Sequence, residues 1–244
     1  MKNFSLASIS LLSAVFLGSC TTDVTQNTAT ASSEVQVVGA MRNVMWKGEL
    51  GGTIDLDTLS NKQHLYGLGP LEYLSGELMI LDGKSYKSVV TSDTTMRIEE
   101  TFAAKAPFFV FAHVPSWRER ALPDSIRTMT QLELYLDSVT QNSKRPFPFK
   151  VSGEVEQATI HIVNLPAGTK VSNPDQAHQG LVSYGLRQAA VDIVGFFSTE
   201  HKAVFTHHDT YMHLHLITKD RSKMGHLDEV AFKPGSLTLY LPEE

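Results

Sequence analysis

Residues 211–226 read Tyr-Met-His-Leu-His-Leu-Ile-Thr-Lys-Asp-Arg-Ser-Lys-Met-Gly-His, and no other stretch limits the local fold so tightly. His213 and His215 lie two apart in a run of alternating apolar residues. Side chains two apart on a β-strand share a face, so both imidazoles converge on one point. The polar run 219–223 follows, then Gly225 and a second expected strand over 226–232. So short a connection favours antiparallel neighbours, which brings His226 beside the pair. Three neutral imidazoles with an open fourth position describe a catalytic rather than a structural zinc-type site. The competing reading is a set of hydrogen-bonded strand histidines. His207-His208, just upstream, offers alternative ligands. As loop neighbours their side chains diverge, and they are the weaker pair.

The first nineteen residues read as a processing signal. Lys2 is the charge near the start, and the apolar core 6–17 is too short to span a bilayer. Leu17-Gly18-Ser19-Cys20 resembles a bacterial lipobox, whose cysteine becomes the lipidated first residue. The expected address is therefore the bacterial cell envelope, lipid-anchored in the periplasm or at the outer membrane or cell surface. Cys20 is the single cysteine, so no intrachain disulfide can form. Residues 20–34 are polar without apolar period and read as a disordered tether. A net charge of -5 without a basic patch argues against nucleic acid as a partner.

Residues 35–244 are expected to fold as an α+β, strand-rich unit. Strands are expected over 35–38, 44–50, 77–81, 85–90 and 108–114, with Asp82-Gly83-Lys84 as a hairpin turn. One helix is expected over 128–141, where Met129, Leu132, Leu136 and Val139 recur at helical spacing. Thr130 and Glu133 fit a capping box near its start. Residues 150–163 read as two strands around Ser152-Gly153; further strands are expected at 182–187, 191–197, 230–232 and 237–241.

Glu77 opens a strand that is otherwise apolar on both faces. A carboxylate buried there must be paired, metal-linked or protonated. The alternative is a strand-end glutamate reaching solvent.

Together these motifs resemble the acetolactate decarboxylase family, over about residues 66–241. The segment from Gly69 to Tyr86 and Pro107-Phe108 match its first part; Gly195-Phe196, His213, His215, Asp220-Arg221 and Gly225-His226 match its second. The resemblance implies a zinc lyase that converts 2-acetolactate, a small hydroxy-keto acid, to acetoin and carbon dioxide. It places Zn2+ on His213, His215 and His226, makes Glu77 catalytic, and implies a homodimer. It also implies two parts: a mixed β-sheet over about 35–145, and a small antiparallel barrel-like part over about 146–244 that carries the metal. Two family arginines are absent, and Lys150 and His161 stand in that stretch as catalytic candidates. The family's C-terminal glutamate lies beyond the point where this chain reads Glu243-Glu244. Two alternatives keep the metal site. One is a metal enzyme acting on another hydroxy-keto substrate, with His161 and His178 in the chemistry. The other is a non-catalytic zinc-binding surface module.

Overall fold

The computed structural model describes Met1, residues 34–206 and residues 209–243. Cys20, nearly all of the expected signal and tether, His207-His208 and Glu244 lie outside the described residues.

The chain order begins β1 (Gln36–Gly39), α1 (Met41–Lys47), β2 (Ile54–Asp55), β3 (Leu65–Pro70), β4 (Glu77–Leu81) and β5 (Lys84–Val90). It continues with β6 (Met96–Glu100), β7 (Lys105–Ala106), β8 (Phe108–His113), β9 (Trp117–Ala121) and α2 (Met129–Val139). The remainder is β10 (Phe147–Ile162), α3 (Pro174–Ala177), β11 (Val182–Phe197), β12 (Met212–Thr218), β13 (Met224–Phe232) and β14 (Thr238–Pro242). The strand-rich α+β class expected from the sequence is what forms.

Two six-stranded sheets carry the fold, ordered β1-β8-β3-β4-β5-β6 and β11-β12-β13-β10-β14-β9, and β2 pairs with β7 apart from them. An extra β10–β11 pairing closes β10, β11, β12 and β13 into a small ring. The first sheet was expected to be mixed, yet its pairings are antiparallel throughout. At β4–β5 the turn is the reason: Asp82 (φ 48°) and Gly83 (φ 77°) both take positive φ, the two-residue geometry that returns a strand antiparallel. β9 adds to the second sheet through β14, and α2 packs Leu132 and Leu136 into the ring core.

Three local expectations are corrected. The strand expected over 44–50 gives way to a helix over 41–47: Met41, Val44 and Met45 are buried together at helical spacing, and Gly48 (φ 65°) ends the helix in the left-handed region. The capping box of α2 belongs to Thr128 and Gln131, not Thr130 and Glu133. Glu133 instead accepts the Tyr211 N–H at 2.8 Å and the Thr210 hydroxyl, tying α2 to the entrance of β12. Finally, β10 and β11 are each one unbroken strand of 16 residues. Gly153 is not a turn; a Cβ there would collide with the Ser236 carbonyl, so the glycine serves close approach of β14.

The two faces of β12 have different surroundings. Leu214 and Leu216 face the ring core with Val151, Ile160, Ile193 and Leu227. Ile217, of the opposite parity, packs with Val194, Phe196 and Met224 against Tyr66, Leu68, Met79 and Val110 of the first sheet. His213 and His215 share the parity of Ile217, so they point at the junction of the two sheets.

Candidate metal centre

The β12–β13 hairpin sets the first three residues of the site. Its register pairs His215 with His226 directly. His213, His215 and His226 are 3%, 0% and 8% exposed. Their ligand nitrogens lie within 4.8 Å of one another. Ring centroids are 5.1 Å apart for His213–His215, 5.1 Å for His213–His226 and 5.5 Å for His215–His226. Gly225 is needed beside them: a Cβ would run into the His161 carbonyl of the neighbouring strand.

The first sheet supplies Glu77, 3% exposed at the start of β4. Its Oε2 lies 3.6 Å from His215 Nε2, and its Oε1 accepts the Val163 N–H at 3.3 Å. Burial is the largest influence on this carboxyl and raises its pKa well above the ordinary carboxylate range; the Val163 N–H opposes that, and nearby Asp228 adds to it. The solvent-reaching alternative for Glu77 is thereby excluded.

His161 pairs with His226 across β10 and β13, and the two ring centroids are 4.8 Å apart. Its Nδ1 lies 2.6 Å from Asp228 Oδ1. Asp228 is the extra residue of a β-bulge, since Thr159 pairs with Glu229 and Ile160 with Leu227. The bulge turns its carboxylate back toward the histidine. Sequence reasoning missed Asp228, because nothing local announces a bulge that inter-strand pairing creates. His178, just after α3, lines the same cavity. Its pKa is lowered, by burial of the ring first and by His161 second.

Lys150 is not brought to the histidines. Its ammonium lies 3.9 Å from the Tyr240 ring centroid and 5.9 Å from that of Trp117, and it does not line the histidine cavity. Eleven strand residues separate it from His161, roughly 36 Å at the usual rise, so one site cannot hold both. Glu243 is also elsewhere, its N–H donating to the Ser116 carbonyl.

Three buried imidazoles with a buried carboxylate alongside form a donor set that could hold a divalent metal ion, and they leave a coordination position for a substrate. Much of the wall around them is apolar, made by Met41, Met45, Pro70, Leu74 and Phe108.

The family model for alpha-acetolactate decarboxylase matches residues 38–242. An alpha-acetolactate decarboxylase of Brevibacillus brevis is 23% identical over 203 residues, covering 81% of this chain and 66% of that protein. The chain thus spans a little under two thirds of that curated relative's length. The crystal structure of acetolactate decarboxylase from Bacillus subtilis subspecies spizizenii superposes with a TM-score of 0.70 at 19% identity, covering 86% of each chain. A Staphylococcus aureus protein described as similar to alpha-acetolactate decarboxylase gives 0.68 at 17% identity and covers the same 86% of each. These superpositions bear on the fold, and the family assignment rests on the match along residues 38–242: the chain belongs to the alpha-acetolactate decarboxylase family.

Proposed function

We propose that this protein is a carboxy-lyase that decarboxylates 2-acetolactate to acetoin and carbon dioxide, with zinc on His213, His215 and His226. The observation that carries the reading is Glu77, a buried carboxyl 3.6 Å from a member of a three-histidine cluster, in a chain matched by the family along residues 38–242. When bound, a divalent ion supplies Lewis-acid polarisation of the substrate ketone, which lets the neighbouring carboxylate leave as carbon dioxide. The protein's own residues supply the rest. The carbon that loses carbon dioxide must take a proton, and the Glu77 carboxyl, whose pKa burial raises, is the acid placed to give it. The Val163 N–H fixes the orientation of that carboxyl. Asp228 fixes the His161 ring by its Nδ1, leaving Nε2 for the cavity.

The test is acetoin and carbon dioxide release from racemic 2-acetolactate by the purified, metal-loaded protein. Absence of both products removes the reading. A second reading, action on another hydroxy-keto acid, is favoured by one feature: the cavity is lined by His161 and His178 and by no arginine or lysine among the described residues. A panel of such acids separates the two, and no turnover of any of them leaves the zinc-binding module.

Residues 1–20 support a further part of the proposal, lipid on Cys20 and an envelope location. Cys20→Ser is expected to release the protein from envelope membranes or leave it unprocessed; unchanged membrane fractionation contradicts the anchor. The homodimer implied by the family is checked by sedimentation of the purified protein.

A further inference from the structure

The cavity at the histidines measures about 30 Å3. Space of that size takes a water or two or a single ion. Pockets that enclose small molecules begin near ~300 Å3. A five-carbon hydroxy-keto acid needs more room than that, so the walls of the cavity decide what fits.

Most of the lining cannot move independently. His161, His213, His226, Glu77 and Phe108 sit on strands held in continuous ladders. Off those ladders lie Leu74, His178 and α1, and α1 presents two side chains, Met41 and Met45, to the cavity. This helix is only seven residues long and lies between two glycines at positive φ, Gly39 (69°) and Gly48 (65°). Two backbone bonds hold its N-terminal end: Met41 N–H to the Val204 carbonyl at 2.7 Å and Arg42 N–H to the Ala203 carbonyl at 2.9 Å. Apolar contact with Leu74, Val171 and Ala177 holds its inner face. Methionine is unbranched, with three rotatable bonds and a polarisable sulfur, so it retracts or reshapes at small cost. No other segment of the lining combines a short helix, flanking glycines and two methionines.

We infer that Met41 and Met45 form the size-determining wall of the substrate site. Substrate enters by displacing their side chains. The space they vacate sets how large a group the site accepts on the carbon that bears the hydroxyl. The ligand class is a small 2-hydroxy acid oxidised at its third carbon, with a methyl-sized second substituent. The inference rests on the decarboxylase reading for its turnover assay but not for its binding assay.

The experiment compares wild type with Met45→Ala, Met41→Ala, Met45→Leu and Trp46→Ala, each as full-chain, metal-loaded protein. Trp46 lies on the exposed side of the same helix. Two ratios are read. One is kcat/KM for 2-acetolactate against its homologue with ethyl in place of methyl at the second carbon. The other is the calorimetric Kd for the two corresponding 2,3-dihydroxy acids, which lack the ketone and cannot lose carbon dioxide. One methylene in a shaped apolar site changes preference by about tenfold or more. Met45→Ala or Met41→Ala should therefore move both ratios about tenfold toward the ethyl compounds. Metal content and thermal unfolding show which variants are folded. Met45→Leu, close in volume, should fold even if the alanine variants do not, and its stiffer branched chain should weaken the ethyl compound more than the methyl one. Trp46→Ala should leave the ratios where they were. Unchanged ratios in folded, metal-loaded Met45 and Met41 variants overturn the inference. If wild type does not turn over acetolactate but the dihydroxy-acid ratio moves, the decarboxylase reading fails and the size wall stands. If no protein binds either dihydroxy acid and no turnover ratio moves, the size wall fails.

Discussion

Two buried carboxylates lie near the junction of the sheets, and their surroundings differ. Asp192, 5% exposed on β11, is matched on every side. Lys219 Nζ lies 2.6 Å from its Oδ1, the Ser152 hydroxyl donates to the same oxygen at 2.9 Å, and Arg221 Nη1 lies 3.4 Å from Oδ2. Burial alone would raise its pKa and is the largest single influence, but Lys219, Ser152 and Arg221 together outweigh it and hold the carboxyl below its usual range. Glu77, buried still more deeply, has one backbone N–H and a histidine at 3.6 Å, with no lysine or arginine paired to it among the described residues. Its pKa goes the opposite way. A buried charge that the protein neutralises itself is structural support; one left to be met by a proton or a metal ion points to chemistry. The same polypeptide makes both, one on each sheet: Glu77 on β4 and Asp192 on β11.

The contrast breaks most completely at the histidines. His213→Ala with His215→Ala is expected to reduce bound metal from about one ion per chain to background and abolish turnover, since two of three ligands go. Elemental analysis of protein purified without added metal checks it, and equal metal in variant and wild type contradicts the site. Next is Glu77→Gln, which keeps shape and removes the acid. Metal content should hold while carbon dioxide release falls about a hundredfold to ten-thousandfold. A variant with wild-type turnover would move Glu77 into the same structural class as Asp192.

Asp228→Asn should cost about ten- to a hundredfold in metal affinity or activity, because it frees the His161 ring from its carboxylate. A metal titration followed by kcat measurement at saturating metal separates the two effects. The smallest effect is expected at Asp192. Asp192→Asn should leave metal binding and turnover intact and lower unfolding free energy by about 1–3 kcal/mol near neutral pH. Asp192 has a depressed folded pKa. Its contribution is therefore present above the unfolded value of about 3.9 and is lost as pH falls through the lower folded value. Denaturation midpoints of variant and wild type should accordingly converge as pH drops below about 4.

The sequence by itself determined the local geometry of the site. Alternation in 212–218 put His213 and His215 on one face, the short polar connection made the hairpin, and its register brought His226 opposite His215. The apolar run around Glu77 left burial and a solvent-reaching strand end both open, whereas the hairpin at Asp82-Gly83 was readable from residue type. These features depend on contacts a few residues apart, where side-chain period and turn chemistry leave few alternatives. The expected break at Ser152-Gly153 failed for a non-local reason: that glycine answers to Ser236, in the distant segment leading into β14, and not to a turn. The extended reading of residues 44–50 failed because a short apolar run suits strand and helix alike until burial selects one face.

Tertiary structure alone decided the partners. It set Glu77 against histidines well over a hundred residues later, kept His161 at the cavity and carried Lys150 to the aromatic rings of Trp117 and Tyr240. It bulged β13 so that Asp228 meets His161, and it laid α1 over the opening. Each of these follows from how two sheets pack and how strands register with one another. A sequence pattern fixes which face a side chain takes, but the residue it meets across that face is chosen by the packing of elements distant in the chain.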